Sequence, residues 1–199
     1  MNQKILELIK SNNGMLSTEQ AKEKNISLKR LERLKKNGEL KRVAQGLYLH
    51  KEYEVDPFYL AQYRCSKSVI SHSTALYFHG LTDKNPDVIT MTIPSGWNTG
   101  LLKKKCTYKF YYYKEELWKL GKEEKISPFG NQVRIYNKER TICDSIINID
   151  DIGREVVLNA VKEYMDNIEE GSLEKLYKYA EKFNIKDKVK TYVEIFGRI

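Results

Sequence analysis

The first fifty residues contain a run of short helix signals, and this run constrains the fold more than any other feature of the sequence. Apolar residues recur at helical spacing over residues 5–9, and the turn sequence Asn-Asn-Gly follows at 12–14. Residues 17–20, Ser-Thr-Glu-Gln, have the form of a capping box, which predicts the start of a second helix. Ser27 is predicted to be the N-cap of a third helix, and Gly38 is predicted to be the residue that ends it. The spacing predicts three consecutive short helices.

The third helix is predicted to have an apolar face and a cationic face. Leu28, Leu31 and Leu34 form the expected apolar stripe. The cationic surface is formed by Lys29, Arg30, Arg33 and Lys36. A helix of this kind, reached through a tight turn from the helix before it, matches the geometry of a recognition helix in the DNA major groove.

A predicted β-hairpin follows the third helix. Residues 40–44 and 47–49 have strand character, and Gln45 and Gly46 form the turn between them. Three helices followed by a basic hairpin predict a winged helix-turn-helix, in which the hairpin is the wing. The residues expected to contact DNA are Ser27, Lys29, Arg30, Arg33, Lys36, Lys41, Arg42 and Gln45. Among them, Arg30 or Arg33 is expected to make a bidentate contact with guanine, and Lys36, Lys41 and Arg42 are expected to meet phosphates.

The charge distribution supports this interpretation. Residues 1–50 contain eleven Lys or Arg and five Asp or Glu, so they carry +6 of the formal net charge of +8. The remaining residues are close to neutral. A polyanion is therefore expected to bind the N-terminal segment, although a charged helix face is also compatible with an ordinary solvated surface.

The rest of the chain predicts a larger domain of mixed type. A polar segment ending at Pro57 places the expected boundary between a domain at 1–52 and one at 53–199. Predicted helices at 57–63 and 71–80 precede strands at 88–93, 108–113 and 132–136, which are expected to share one sheet. The period then returns to that of helices, so residues 149–199 are expected to form a helical cap on that sheet. The predicted fold class is α+β.

Catalytic and cofactor motifs are missing from the sequence. It has no phosphate-binding glycine loop, no dinucleotide fingerprint and no serine-hydrolase elbow, so no enzyme activity and no cofactor are expected. His72 and His79 are seven residues apart, but without a third ligand nearby no metal site is expected. Cys65, Cys106 and Cys143 have no metal or redox spacing and are expected to be reduced, packed thiols. Neither a signal peptide nor a membrane span is recognisable, which predicts a cytoplasmic protein.

A polar loop is a secondary candidate for binding anions. Residues 93–100 contain Pro, Ser and Gly and precede the lysine run at 103–105. Its amides could hold a phosphate, and the tyrosines at 111–113 could stack on bases. A plain connection between two strands is the favoured alternative.

Several segments together resemble the AbiE-type abortive-infection antitoxins of type IV toxin-antitoxin systems, which act in phage defence. They are Gly-Leu-Tyr at 46–48 with Asp-Pro-Phe at 56–58, Ser-His-Ser-Thr-Ala-Leu at 71–76 with His-Gly-Leu at 79–81, Thr-Ile-Pro-Ser-Gly at 92–96, and Lys-Glu-Arg-Thr-Ile-Cys-Asp at 138–144. The resemblance implies that the N-terminal domain binds inverted repeats in its own promoter and represses its operon. It also implies that the second domain counteracts a nucleotidyltransferase toxin without a stable complex.

The same resemblance selects five residues for the antitoxin function: His72, Ser73, Thr74, Arg140 and Asp144. A structural role for Asp144, as a brace of its own helix, is the alternative. Two other functions remain open at this point. His72, Asp144 and Arg140 could serve a nuclease or protein-modifying enzyme that the winged helix docks on its substrate, or the winged helix could bind a protein.

Overall fold

The computed structural model describes residues 3–99 and 107–197, which divide into two compact units. The first unit comprises the chain up to Arg64 together with Ile126–Val133, and the second comprises Cys65–Lys125 and the chain from Arg134 onward. Gly100, the lysine run at 103–105 and Cys106 lie outside the described residues, so those parts of the sequence predictions have no structural outcome.

The first unit contains the predicted three helices and the hairpin. Its elements are α1 (Gln3–Ser11), β1 (Met15–Ser17), α2 (Thr18–Glu23), α3 (Leu28–Lys36), β2 (Leu40–Ala44), β3 (Leu47–His50) and α4 (Pro57–Arg64). Strands β1 and β2 both pair antiparallel with β3, giving a three-stranded sheet in the order β1-β3-β2. The three-residue strand β1 was not predicted.

Local capping explains where α2 and α3 begin. The Ser17 hydroxyl accepts a hydrogen bond from the Gln20 amide, and the Gln20 side chain accepts one from the Ser17 amide, so the predicted capping box is present. Asn25 turns the chain with a φ of 57°. Ser27 has the extended backbone of an N-cap, but its side chain makes no capping hydrogen bond. Only its backbone fulfils the predicted role.

The three-stranded sheet of the first unit has a hydrophobic cluster on each face. Side chains on α1, α2 and α3 pack with Tyr48 on one side. Met15, Leu47, Leu49 and Leu60 pack on the other. Because Leu60 belongs to α4, this helix covers the face of the sheet that the α1–α3 cluster leaves open.

Asp56 ties the segment 126–133 into the first unit. Its Oδ1 accepts hydrogen bonds from the amides at the start of α4, at 2.9 and 3.0 Å. Its Oδ2 accepts hydrogen bonds from the Ser127 hydroxyl and from Asn131 Nδ2 at 3.0 Å. The unit therefore extends past residue 52, where the sequence analysis places the boundary. The reason is that α4 and a remote segment complete its packing.

The second unit is a mixed sheet with helices. Its strands are β4 (Val69–Ile70), β5 (Ile89–Pro94), β6 (Tyr108–Tyr113), β7 (Lys122–Ile126) and β8 (Gln132–Tyr136), in the order β6-β5-β4-β8-β7. The last residue of β7 and the first two of β8 fall in the segment counted with the first unit. The three predicted strands do share one sheet. The two-residue strand β4 and the charged strand β7 were not predicted.

Most helices of the second unit surround α7. The helices are α5 (His72–Phe78), α6 (Glu115–Lys119), α7 (Lys138–Ile147), α8 (Ile149–Ile152), α9 (Arg154–Asp166), α10 (Ser172–Lys182) and α11 (Lys186–Phe196). The cluster of buried apolar residues runs from Leu76 on α5 through Ile142 and Cys143 to Val161, Leu176 and Val189. The C-terminal helices thus form a helical core around α5 and α7, where a simple cap on the sheet was expected. Within the described chain, no helix has the length and apolarity needed to cross a bilayer.

Candidate nucleic-acid interface and buried polar cluster

The exposed face of α3 carries three of the predicted DNA contacts. Lys29, Arg33 and Lys36 follow one another at i, i+4 and i+7, so they form one stripe along the helix. All three are exposed, whereas Leu31 and Leu34 on the opposite face are buried. The helix thus presents a cationic ridge to solvent.

Two residues of α3 depart from the predicted pattern. Leu28 was expected in the apolar stripe, but it lies on the first turn of α3, is 44% exposed and does not join the hydrophobic cluster that contains Leu31 and Leu34. Arg30 is half-buried, and its Nε is buried without a hydrogen-bond partner among the described residues. Arg33 is therefore better placed than Arg30 for a bidentate contact with a base.

Glu32 connects the cationic helix to the hairpin. Its carboxylate accepts hydrogen bonds from the Tyr48 hydroxyl and from Lys35 Nζ, both at 2.7 Å. The hydrogen bonds from Lys35 and Tyr48 lower the pKa of Glu32 below its ordinary value, so this carboxyl stays ionised. The sequence does not predict this link, because no local spacing relates Glu32 to a strand residue sixteen positions away.

The two basic residues of β2 lie on opposite faces of the hairpin. Arg42 is opposite Tyr48 and Lys41 is opposite Leu49 in the antiparallel register, and successive side chains alternate between the faces. Tyr48 packs with α1–α3, so Arg42 lies on the side of α3 and Lys41 on the other. Both are exposed, as is Gln45 in the turn. Of the two, Arg42 is the one that continues the cationic surface of α3.

The turn of the hairpin is fixed to the start of α2. The Thr18 amide donates a hydrogen bond to the Gly46 carbonyl at 2.8 Å. Gly46 has a φ of 72°, and a Cβ there would lie 2.9 Å from Thr18 Oγ1, so only glycine fits without strain. The turn of the hairpin is thus held at the start of α2, the helix that precedes α3 and its cationic ridge.

His72 in the second unit is buried and held at both ring nitrogens. Its Nδ1 lies 2.8 Å from Ser71 Oγ, and Asn148 Nδ2 donates to its Nε2 at 3.1 Å. The ring stacks on Tyr111 with centroids 3.4 Å apart. Burial, and secondly the charge of Arg140, hold the pKa of His72 well below its ordinary value, so the ring is neutral.

Thr74 and Ser73 have different surroundings although they are adjacent. The Thr74 amide donates to Thr90 Oγ1, and the Thr90 amide donates to Thr74 Oγ1, both at 2.9 Å. Thr74 therefore fastens the start of α5 to β5. Ser73 instead lines an open cavity of about 230 Å³ together with Lys109 and Asp151, among others.

Arg140 and Asp144 form an ion pair that is fully buried. Arg140 Nε donates to Asp144 Oδ1 at 3.0 Å, and its Nη1 donates to the Leu117 and Leu120 carbonyls. The guanidinium also lies 4.2 Å from the centroid of the Tyr136 ring, with the rings of Tyr113 and Phe183 at 5.0 and 4.4 Å. Burial raises the pKa of Asp144 to about 6 against the opposing effect of Arg140. This pair braces α7 from within, as the alternative for Asp144 proposes.

The geometry gives no support to the enzyme alternative. His72, Arg140 and Asp144 each have no exposed surface, so a substrate cannot reach them in this conformation. His79 Nε2 donates to the Tyr136 carbonyl at 2.7 Å. Among the described residues, no group of three or more His, Cys, Asp or Glu is placed to hold a metal ion.

Comparison with known proteins bears on the first unit. Residues 3–49 match the model of a family described as transcriptional regulator, AbiEi antitoxin. Over this range the first unit is similar to the AbiEi antitoxin family. No curated protein matches the chain. The matched range runs from α1 into β3 and contains all eight residues predicted to contact DNA, whereas the second unit lies outside it.

The first unit thus carries an exposed basic helix, and the second unit holds the other candidates in separate places. His72 and Thr74 brace the start of α5, Arg140 and Asp144 brace α7, and Ser73 alone borders a cavity. The tyrosines of β6 are also accounted for differently from the prediction. Tyr111 stacks on His72 and Tyr113 lies against Arg140, whereas Tyr112 is 39% exposed.

Proposed function

We propose that this chain is a transcriptional regulator that binds inverted repeats in its own promoter and represses its operon. The observation that supports the proposal is the exposed ridge of Lys29, Arg33 and Lys36 on α3 of an AbiEi-type unit. Arg42 extends this ridge along the hairpin. In this arrangement α3 enters the major groove of double-stranded DNA in the cytoplasm, and the hairpin residues meet phosphates.

The test is binding of the full chain to its own upstream DNA at two salt concentrations. The double variant Arg33→Ala, Lys36→Ala should weaken binding at least tenfold and flatten the dependence of log K on log salt by about 1.8, because two phosphate or base contacts are lost. A matched control, Lys186→Ala with Lys190→Ala, removes the same charge from exposed positions of α11 and should bind as the wild type does. Equal loss in both variants, or no binding at low salt, would refute the proposal.

We further propose that the chain is the antitoxin of a type IV toxin-antitoxin system and counteracts a nucleotidyltransferase toxin without a stable complex. The match of residues 3–49 to the AbiEi antitoxin family model supports this role. The candidate residues for it remain His72, Ser73, Thr74, Arg140 and Asp144. Because Ser73 alone borders open space, it is the one whose substitution tests a direct contact rather than folding.

The corresponding experiment is rescue of growth from the cognate toxin. Ser73→Arg, which fills the cavity entrance, should abolish rescue while repression of the operon persists. Ser66→Arg, at an exposed position outside the cavity, is the matched control and should rescue normally. If Ser73→Arg rescues as well as the control, the cavity has no part in the antitoxin function.

A further inference from the structure

Both tryptophans of the chain lie together on the second unit, among basic side chains. Lys67 Nζ is 5.9 Å from the ring centroid of Trp97 and 5.6 Å from that of Trp118. Lys122 Nζ lies 2.7 Å from the Trp118 centroid. We call this region the tryptophan patch, and its residues are Lys67, Trp97, Trp118, Lys119, Lys122 and Arg134.

The two tryptophans have different roles in the tryptophan patch. Trp118 is 8% exposed, and its indole nitrogen donates to the Lys67 carbonyl at 3.0 Å, so it forms the buried floor. Trp97 is 41% exposed on the loop after β5. Tryptophan is enriched at binding interfaces, because it combines a large apolar ring with a polar N–H group.

Lys122 lies among the other cations of the tryptophan patch. Burial, followed by the charges of Arg134, Lys67 and Lys119, lowers the pKa of Lys122 to about 8. Glu115 opposes this shift, but it also forms a salt bridge with Lys119 at 2.6 Å. An anion placed against Lys122 would therefore relieve repulsion that the folded chain leaves in place.

An exposed aromatic face beside several cations matches the chemistry of single-stranded nucleic acid. Bases stack on aromatic side chains while basic side chains follow the phosphates, and this mode tolerates any sequence. In a duplex the faces of the bases are stacked on one another. Its phosphates could contact the cations, but no base face would be available to stack on Trp97. The combination therefore favours unpaired nucleotides over double-stranded DNA.

We propose that the tryptophan patch binds single-stranded nucleic acid, with an unpaired base on Trp97 and the adjoining phosphates against Lys67, Lys122 and Arg134. This site is different from the ridge on α3 and goes beyond the proposed regulation of the operon. It gives the second unit a ligand class of its own. The base and phosphate chemistry is common to RNA and DNA, so the experiment uses both.

The test is a titration of the full chain with oligouridylate and with oligothymidylate of about ten nucleotides. Tryptophan emission should be quenched, because both tryptophans of the chain lie in the patch. Trp97→Leu should weaken binding roughly tenfold through loss of stacking. Lys67→Gln with Lys122→Gln should flatten the salt dependence by about 1.4, the value for two lost phosphate contacts on a single strand.

Three controls separate this site from the ridge on α3. Lys186→Gln with Lys190→Gln removes the same charge from α11 and should bind the oligonucleotides normally. Arg33→Ala with Lys36→Ala should lose the promoter duplex and keep the oligonucleotides. Trp97→Leu should do the reverse, and its circular dichroism and thermal unfolding should match those of the wild type because its side chain is exposed.

Each outcome of the titration either supports or overturns the proposed single-stranded nucleic acid site. Binding of both oligonucleotides supports recognition of base and phosphate, and preference for oligouridylate supports an added contact with the 2′-hydroxyl. No quenching and no binding at low salt would overturn the proposal. So would binding that Trp97→Leu leaves unchanged, binding lost in the α3 variant, or complete competition by an equal concentration of duplex.

Discussion

At the scale of single residues, the second unit buries charged and titratable side chains as completely as its apolar core. Arg140 and Asp144 have no exposed surface, and neither does His72. A buried charge costs folding free energy unless it is paired and hydrogen-bonded. The structure meets this requirement in part: two carbonyl acceptors and three aromatic rings surround Arg140, whereas Arg140 Nη2 and Asp144 Oδ2 have no hydrogen-bond partner among the described residues. The role of the Arg140–Asp144 pair is therefore best tested by measuring the free energy of unfolding.

Asp144→Ala should destabilise the chain strongly. It leaves the Arg140 guanidinium buried beside an empty site, and removing one partner of a buried pair costs about 3–5 kcal/mol. Urea unfolding measured by circular dichroism gives this value directly. The double variant Arg140→Met, Asp144→Leu should recover much of the loss, because it removes both charges. A loss below about 1 kcal/mol for Asp144→Ala, typical of an exposed pair, would contradict this interpretation of the site.

His79 should make the stability of the second unit depend on pH. Burial lowers the pKa of His79 to about 4, against an ordinary value of 6.5. Because the folded-state pKa is depressed, the unfolded chain takes up a proton first, so stability is lost as pH falls from about 6.5 to about 4.

His79→Gln retains a donor for the Tyr136 carbonyl and cannot titrate. Between pH 7 and pH 4, the wild type should lose about 2–3 kcal/mol more stability than this variant. Urea unfolding at the two pH values measures the difference, and other titrating groups such as Asp144 contribute equally to both proteins. Parallel pH profiles would show that His79 titrates normally in the folded chain.

At the scale of elements, the helix starts of the first unit offer a matched pair. Ser17 and Ser27 both occupy N-caps with extended backbone, but only the Ser17 hydroxyl accepts a capping hydrogen bond. Ser17→Ala should therefore cost about 1 kcal/mol, the usual value of a lost cap. Ser27→Ala should cost no more than a few tenths of that. Thermal unfolding of the two variants compares them, and equal losses would mean that the capping hydrogen bond of Ser17 adds no stability beyond what the Ser27 hydroxyl provides.

Some elements of secondary structure could be predicted from the sequence and others could not. Helices α1–α3 and the hairpin were predicted correctly because caps, turns and apolar spacing are local signals. Strands β1 and β4 were missed because three and two residues are too short to show a period of two. Strand β7, Lys-Glu-Glu-Lys-Ile, was missed because its charges hide any alternation.

For the candidate functional residues, too, only the features that follow from local sequence patterns could be predicted. The exposure of Lys29, Arg33 and Lys36 follows from helical periodicity, so the sequence predicts it. The aromatic surroundings of Arg140 come from residues far apart in sequence, and no spacing on α7 reveals them. Likewise, the link between Glu32 and Tyr48 joins a helix to a strand. Contacts made only in the tertiary fold leave no local pattern.

At the scale of the whole molecule, the compact units do not follow the predicted boundary. A fragment ending at residue 52 lacks α4, so Met15, Leu47 and Leu49 would lose Leu60 and become exposed on one face of the sheet. We expect this fragment to aggregate or to unfold without cooperativity, although it contains the full family match at residues 3–49. Thermal unfolding and gel filtration of the fragment beside the full chain test this. A cooperative monomer would mean that α4 is dispensable.

The bond between the Thr18 amide and the Gly46 carbonyl has a consequence for how an operator would be engaged. A wing anchored in this way is already in its docking position before any DNA arrives. Little conformational entropy is then lost when the complex forms, so association should be fast and limited chiefly by diffusion and electrostatic steering. Loosening that anchor would slow recognition without removing a single contact to the duplex.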